Sequence, residues 1–164
     1  MSTDAALKTP TDLASNATKT VAQALNEILA DSFALYLKTK NFHWHVSGPH
    51  FRDYHLMLDE QATDILGTTD EIAERVRKIG ATTLRSIGDI ARHQTIKDND
   101  ADFVAPTAML NELREDNLKL VASFHEAKQI VDDAGDNGTS GILDEWTDRA
   151  ERRAWFLFEA SRTA

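Results

Sequence analysis

Apolar residues recur at helical spacing along four long stretches of this chain, and that periodicity leaves little open to it besides a bundle of helices. The first stretch runs from about residue 18 to 46 with Val21, Leu25, Ile28, Leu29, Phe33 and Leu37 on one stripe. Ser47-Gly48-Pro49 ends it, because glycine accepts a C-cap conformation and proline cannot continue the hydrogen-bond ladder. The second, from about 50 to 79, carries Leu58, Ala62, Ile65, Thr69, Ile72, Val76 and Ile79, with Gly80 as its cap. A third begins at Pro106, a residue suited to a first helical turn, and carries Leu110, Leu113, Leu120, Val121, Phe124, Ala127 and Val131. Gly135-Asp136-Asn137-Gly138 is turn chemistry, and a fourth helix over about 139–161 buries Ile142, Leu143, Trp146, Ala150, Phe156 and Leu157.

Between the second and third helices lies a connection of about 25 residues, 81–105, long enough to cross a bundle. Its Ser86-Ile87-Gly88-Asp89-Ile90-Ala91 segment fits a small helix. Residues 1–15, small and polar with Pro10, read as a mobile tail, and 16–164 as a single domain without internal repeat. The expected fold class is all-α: a four-helix bundle with a short extra helix in its long connection.

Chemistry concentrates around the second helix. His55, Asp59, Asp70 and Glu74 fall at about 0°, 40°, 60° and 100° around its axis, so they share one stripe, and His43 precedes them on the first helix. Imidazole and carboxylate together suit iron, manganese or zinc, and the chain has no cysteine to offer a soft ligand. Singly, each residue is ordinary on a surface helix. Jointly, the acids would repel one another on one face without a cation. The stripe is centred about a third of a turn from the core stripe, which puts these residues at a margin of the bundle.

One straight helix cannot bring all four to one ion, because Asp59 and Asp70 are roughly 16 Å apart along the axis. A twofold axis can. If two copies of the helix pack antiparallel about a point between Asp64 and Ile65, Asp59 faces the partner's Asp70, and His55 faces the partner's Glu74. Thr63 and Leu66 meet across the axis, and Gly67 lets the backbones approach. Self-complementary contact of this kind is what a C2 interface requires. The expectation is a shared site, occurring twice per dimer.

Charge and composition narrow the partners. With 27 acids against 18 Lys and Arg, the net charge of −9 opposes phosphate binding by the surface as a whole and favours small cations. No stretch approaches a membrane span or an apolar signal segment, and the lack of cysteine suits a reducing compartment. A cytoplasmic protein is expected, with no membrane partner.

There is no Glu-x-x-His in the chain, which argues against the core di-metal site usual in four-helix carboxylate proteins. Instead His43-Trp44 followed by Gly48, then His55-x-x-x-Asp59, then Asp70-x-x-x-Glu74 resembles the Dps family of mini-ferritins, named for DNA-binding protein from starved cells. The resemblance runs from about residue 16 to 161. It implies a ferritin-like bundle, a hollow homododecamer, and oxidation of iron(II) by hydrogen peroxide in preference to oxygen, with iron(III) mineral stored inside. It further implies that His43, His55 and Asp59 are metal ligands and catalytic residues from one subunit, with Asp70 and Glu74 from its twofold partner. Trp44 resembles the aromatic residue beside the family's site, or packs a helix end. Family members line a threefold pore with acids from the region holding Asp132, Asp133, Asp136, Asp144, Glu145 and Asp148, although Gly141 stands where an acid is often found.

Two other functions are open. One is a nucleoid-associated DNA-compacting protein, which the residues support poorly: Lys8 and Lys19 are offset by Asp4 and Asp12, the C-terminal Ser161-Arg162-Thr163-Ala164 is short, and Arg75, Arg77 and Lys78 read as a solvated helix end. Direct DNA binding is therefore expected to be weak or absent. The other is a structural shell whose site is vestigial or holds zinc as a competing ion, with His45 and His50 as extra imidazoles.

Overall fold

The four periodic stretches fold as four long helices in the computed structural model, which describes residues 3–162. Among these, the elements are α1 (Thr3–Ala6), α2 (Ser15–His45), α3 (Phe51–Lys78), α4 (Ile87–His93), α5 (Pro106–Asp133) and α6 (Asn137–Ser161), with no strand. Met1 and Ser2 of the expected tail, and Thr163 and Ala164 at the other end, lie outside the described residues.

Side-chain contacts fix the directions of the helices. Tyr54 bonds the Ala160 carbonyl, Gln61 the Arg153 carbonyl, Arg149 the Asp64 carboxylate, and Trp146 Nε1 donates to Glu71, so α3 and α6 run antiparallel. Near the end of α2, Lys38 pairs with Glu112 and Asp116 in the first turns of α5, and Asn41 donates to the Asn99 carbonyl just before them. At the opposite end, Arg75 of α3 reaches Asp136, just beyond α5. Helices α3 and α5 therefore run parallel, and residues 79–105 must travel the length of the bundle. Asp31 of α2 anchors that crossing, accepting from the amides of Thr95 (2.5 Å) and Ile96 (2.8 Å) and from the Thr95 hydroxyl (2.7 Å). The small helix in the crossing has a reciprocal cap: Ser86 Oγ accepts from the Asp89 amide, and the Asp89 carboxylate accepts from the Arg85 amide.

The core is the stripe read from the sequence without Phe156, which is half-buried beside Trp155 and Arg152, and it is extended by Leu35, Phe42, Ile96 and Met109. Leu37 is a second correction: it is 58% exposed. Steps of four residues advance 400°, so the path from Leu25 through Leu29 and Phe33 to Leu37 drifts about 120° off the buried face, and Leu35 and Phe42 take over there. At mid-height the buried Arg153 spans the bundle, donating Nε to Asn117 (2.8 Å) and pairing with Asp64.

The C-terminal end of α3 is more built than a solvated helix end. Arg75 donates Nη2 to Asp136 (2.6 Å) and Nε to Thr139 (2.7 Å), and Arg77 donates to the carbonyls of Ala81 and Leu7. Gly80 adopts φ +93°, and a Cβ there would lie 2.7 Å from the Thr9 carbonyl oxygen, so the segment after α1 runs tightly over the cap and Leu13 packs on the core.

Candidate metal centre

The end of α2 and the start of α3 are joined by the short turn at Gly48 (φ +104°), which turns the chain back and lays His55 against His43. The two imidazoles stack with centroids 3.8 Å apart and planes 18° from parallel. Each is held by the other residue's backbone: His43 Nδ1 lies 2.7 Å from the His55 carbonyl oxygen, and His55 Nδ1 lies 2.8 Å from that of His43. A carbonyl only accepts, so each Nδ1 carries the hydrogen, which leaves Nε2 as the ring nitrogen that can bind an ion when the ring is neutral. Such a bond from the second ring nitrogen to a carbonyl fixes tautomer and ring orientation for metal ligation. Phe51 stacks against the outer side of His55, with centroids 5.0 Å apart.

Asp59 stands one turn along α3, with Oδ1 3.9 Å from His43 Nε2. Two ligands about 2.1 Å from one ion are separated by up to about 4 Å, so this pair can share an ion after only small adjustment. The same oxygen accepts from Lys40 Nζ at 2.7 Å. That hydrogen bond is the main reason the Asp59 carboxyl is held below its ordinary range, with the charges of Lys40, His43 and His55 adding to it against a smaller desolvation cost. Lys40 precedes His43 by three residues on the same face of α2, but its contact with Asp59, 19 residues on, comes only from the packing of α2 on α3.

His43, His55 and Asp59 are thus brought together, while Asp70 and Glu74 are not. Both are exposed farther along α3, and Glu74 pairs with Lys78 at 3.2 Å. Among the described residues of one chain, no three His, Cys, Asp or Glu side chains are grouped so as to hold an ion. His45 and His50 do not join the group: His45 Nδ1 is tied to the Asn41 carbonyl, and His50 faces Tyr54 at 5.6 Å. Trp44 is 57% exposed, with Lys40 Nζ 5.8 Å from its ring centroid. What a single chain presents is two oriented imidazoles and one carboxylate, with two further carboxylates on the same helix stripe out of reach.

The expected pore acids divide. Asp136 is buried as the α6 N-cap, accepting from the Thr139 amide at 3.0 Å, from the Thr139 hydroxyl and from Arg75, so it does not belong to an acidic lining. Asp144 pairs with Lys128, and Asp132 accepts from Ser140.

The ferritin-like domain model matches residues 22–161. The DNA protection during starvation protein of Agrobacterium fabrum is 35% identical over 150 residues, covering 92% of this chain and 93% of that protein. The chain belongs to the Dps family of ferritin-like proteins. DpsC from Streptomyces coelicolor superposes with a TM-score of 0.91 at 28% identity, covering 94% of this chain and 91% of its own. The Dps protein of Vibrio cholerae O1, described as a member of a broad superfamily of ferritin-like diiron-carboxylate proteins, superposes at 0.87 with 25% identity over 92% of this chain and 94% of its own. Membership settles the all-α bundle and its extra helix, and no helix among the described residues is long and apolar enough to cross a membrane.

Proposed function

We propose that this Dps chain is a mini-ferritin that oxidises iron(II) at sites shared between twofold-related subunits and stores iron(III) inside a homododecameric shell. Its place in a family of ferritin-like diiron-carboxylate proteins supports iron storage and DNA protection as the broad role. The observation that carries the finer reading is the reciprocal His43–His55 clasp with Asp59 beside it, a rigid half-site that lacks enough ligands by itself. Asp70 and Glu74 of a second copy, facing it across the axis near Ile65, would complete the site. Exposure of Thr63, Leu66 and Gly67 on α3 supports that packing, since a second helix could cover them.

Iron(II) is the substrate in this reading. The imidazole Nε2 atoms and carboxylate oxygens bind and orient it, and carboxylates favour iron(III), the harder ion, over iron(II). Two iron(II) ions supply two electrons, and hydrogen peroxide with two protons takes them to become two waters, so no hydroxyl radical is released. Removing both reactants protects DNA without contact. A vestigial or zinc-holding shell is separated from this reading by measurement: metal analysis after purification without added metal, then peroxide-driven iron(II) oxidation followed spectroscopically. Wild type should turn over rapidly, and Asp59→Ala or Glu74→Ala should each abolish the fast phase while leaving the assembly intact on a sizing column. Undiminished oxidation in both variants would reject the assignment.

A further inference from the structure

Lys40 brings positive charge to the atom that the proposed site needs as a ligand. Its ammonium lies 2.7 Å from Asp59 Oδ1, the oxygen that stands 3.9 Å from His43 Nε2. The Lys40 side chain is 18% exposed, so its stem is packed and its head is not simply trailing in solvent. The comparison with the other half of the site is informative: Lys78 also pairs with a ligand carboxylate, that of Glu74, but at 3.2 Å with both side chains largely exposed. An exposed pair of that kind contributes next to nothing. The Lys40–Asp59 contact is shorter, and although Asp59 is itself half exposed, the lysine that reaches it is far more enclosed than Lys78.

An ion bound between His43 and Asp59 would sit about 2.1 Å from an oxygen that already accepts from an ammonium. Two cations on one carboxylate oxygen repel strongly at such range. From this juxtaposition we infer that Lys40 is a tethered competitor of the incoming metal, holding Asp59 oriented in the metal-free chain and raising the concentration of iron(II) at which the site fills. This deepens the shared-site reading and rests on it. Trp44, one turn along α2 on the same face, offers the displaced ammonium a place to go, since Nζ is already 5.8 Å from its ring centroid and an aromatic face attracts a cation. Lys40 is a positioning residue here, acting through Asp59.

The test is anaerobic binding of iron(II) alone to the assembled protein, measured by calorimetry without oxidant, so that no turnover is read. Lys40→Met keeps the stem and removes the charge; it should bind about tenfold tighter or better with unchanged stoichiometry, whereas Lys40→Arg, which keeps the charge, should stay within about threefold of wild type. Lys78→Met controls for overall charge and should change affinity less than about twofold. Equal or weaker binding by a correctly assembled Lys40→Met protein would overturn the inference, as would an equal gain in Lys78→Met. Loss of binding in Asp59→Ala with no change in Lys40→Met would remove the competitor and leave the shared site standing. No iron(II) bound by wild type, or full binding by Asp59→Ala, would instead remove the site itself and this inference with it.

Discussion

Individual residues here act mainly by being held. His43 and His55 are set by one another's carbonyls and not by a carboxylate, so the clasp depends on the α2–α3 turn. Asp136 is the corresponding fixture at the far end of the bundle. Burial alone would raise its carboxyl, but the hydroxyl and amide of Thr139 and the Arg75 guanidinium outweigh that cost and hold it below the ordinary 3.8. Gly138 is part of the same fit, since a Cβ there would fall 2.8 Å from Arg75 Nη2. A carboxyl whose folded value is depressed adds stability above its unfolded value, and that stability is lost as pH falls through the folded value. Asp136→Asn keeps a capping oxygen but strips Arg75 of its charge partner, and should cost about 2 kcal/mol at neutral pH. The difference from wild type, read from urea or thermal unfolding, should shrink as pH falls below about 3.8. A gap that stays constant down to pH 2 would show that the charge of Asp136 is not what stabilises this junction.

At the scale of elements, α3 matters most to the proposed function, in which one helix would bear half of one site at its start and the complementary half of another toward its end. Complementation follows from that arrangement. In a dimer of Asp59→Ala with Glu74→Ala, one site has lost both carboxylates and the other has kept both. Random mixing of the two inactive proteins should therefore restore about a quarter of wild-type iron oxidation, since half the dimers are mixed and half their sites are whole. No recovery in dimers verified as mixed would reject a shared site. Much of this was legible beforehand. The four helices, the caps at Gly48 and Gly80 and the small helix after Ser86 follow from local periodicity and turn chemistry, which act over a few residues. The His/Asp/Glu stripe was legible for the same reason. Lys40 on Asp59, Arg75 on Asp136 and the paired His–carbonyl bonds were not, because each joins residues that only packing brings together. Leu37 shows the converse, a residue on a plausible stripe that a 40° drift per step carries out of the core.

The whole molecule is where a single chain is least self-sufficient. Leu37, Trp44, Leu66, Trp155 and Phe158 are all more than two-fifths exposed, an apolar surface that suits burial against further copies. Twelve chains of 18.3 kDa in a closed point group give about 220 kDa, and light scattering on a sizing column should find that mass; a monodisperse monomer would contradict both the assembly and the split site. Assembly also multiplies whatever the surface does to DNA. Phosphate binding needs Lys or Arg arrayed to displace condensed counterions, and each contact steepens the dependence on salt. In this chain the two arginines at the end of α3 are already engaged, Arg75 with Asp136 and Arg77 with the carbonyls of Ala81 and Leu7, and only Lys78 there is largely exposed. Lys8 and Lys19 near the N-terminus are matched by Asp4 and Asp12, and the net charge of −9 is repeated with every subunit. Twelve copies therefore multiply repulsion, and no stable complex with duplex DNA should form near neutral pH at physiological salt. A gel shift with a salt titration tests this directly. Tight binding at about 150 mM salt without divalent cations would overturn it, whereas binding that appears only with magnesium would mark bridging between acidic protein surface and phosphate.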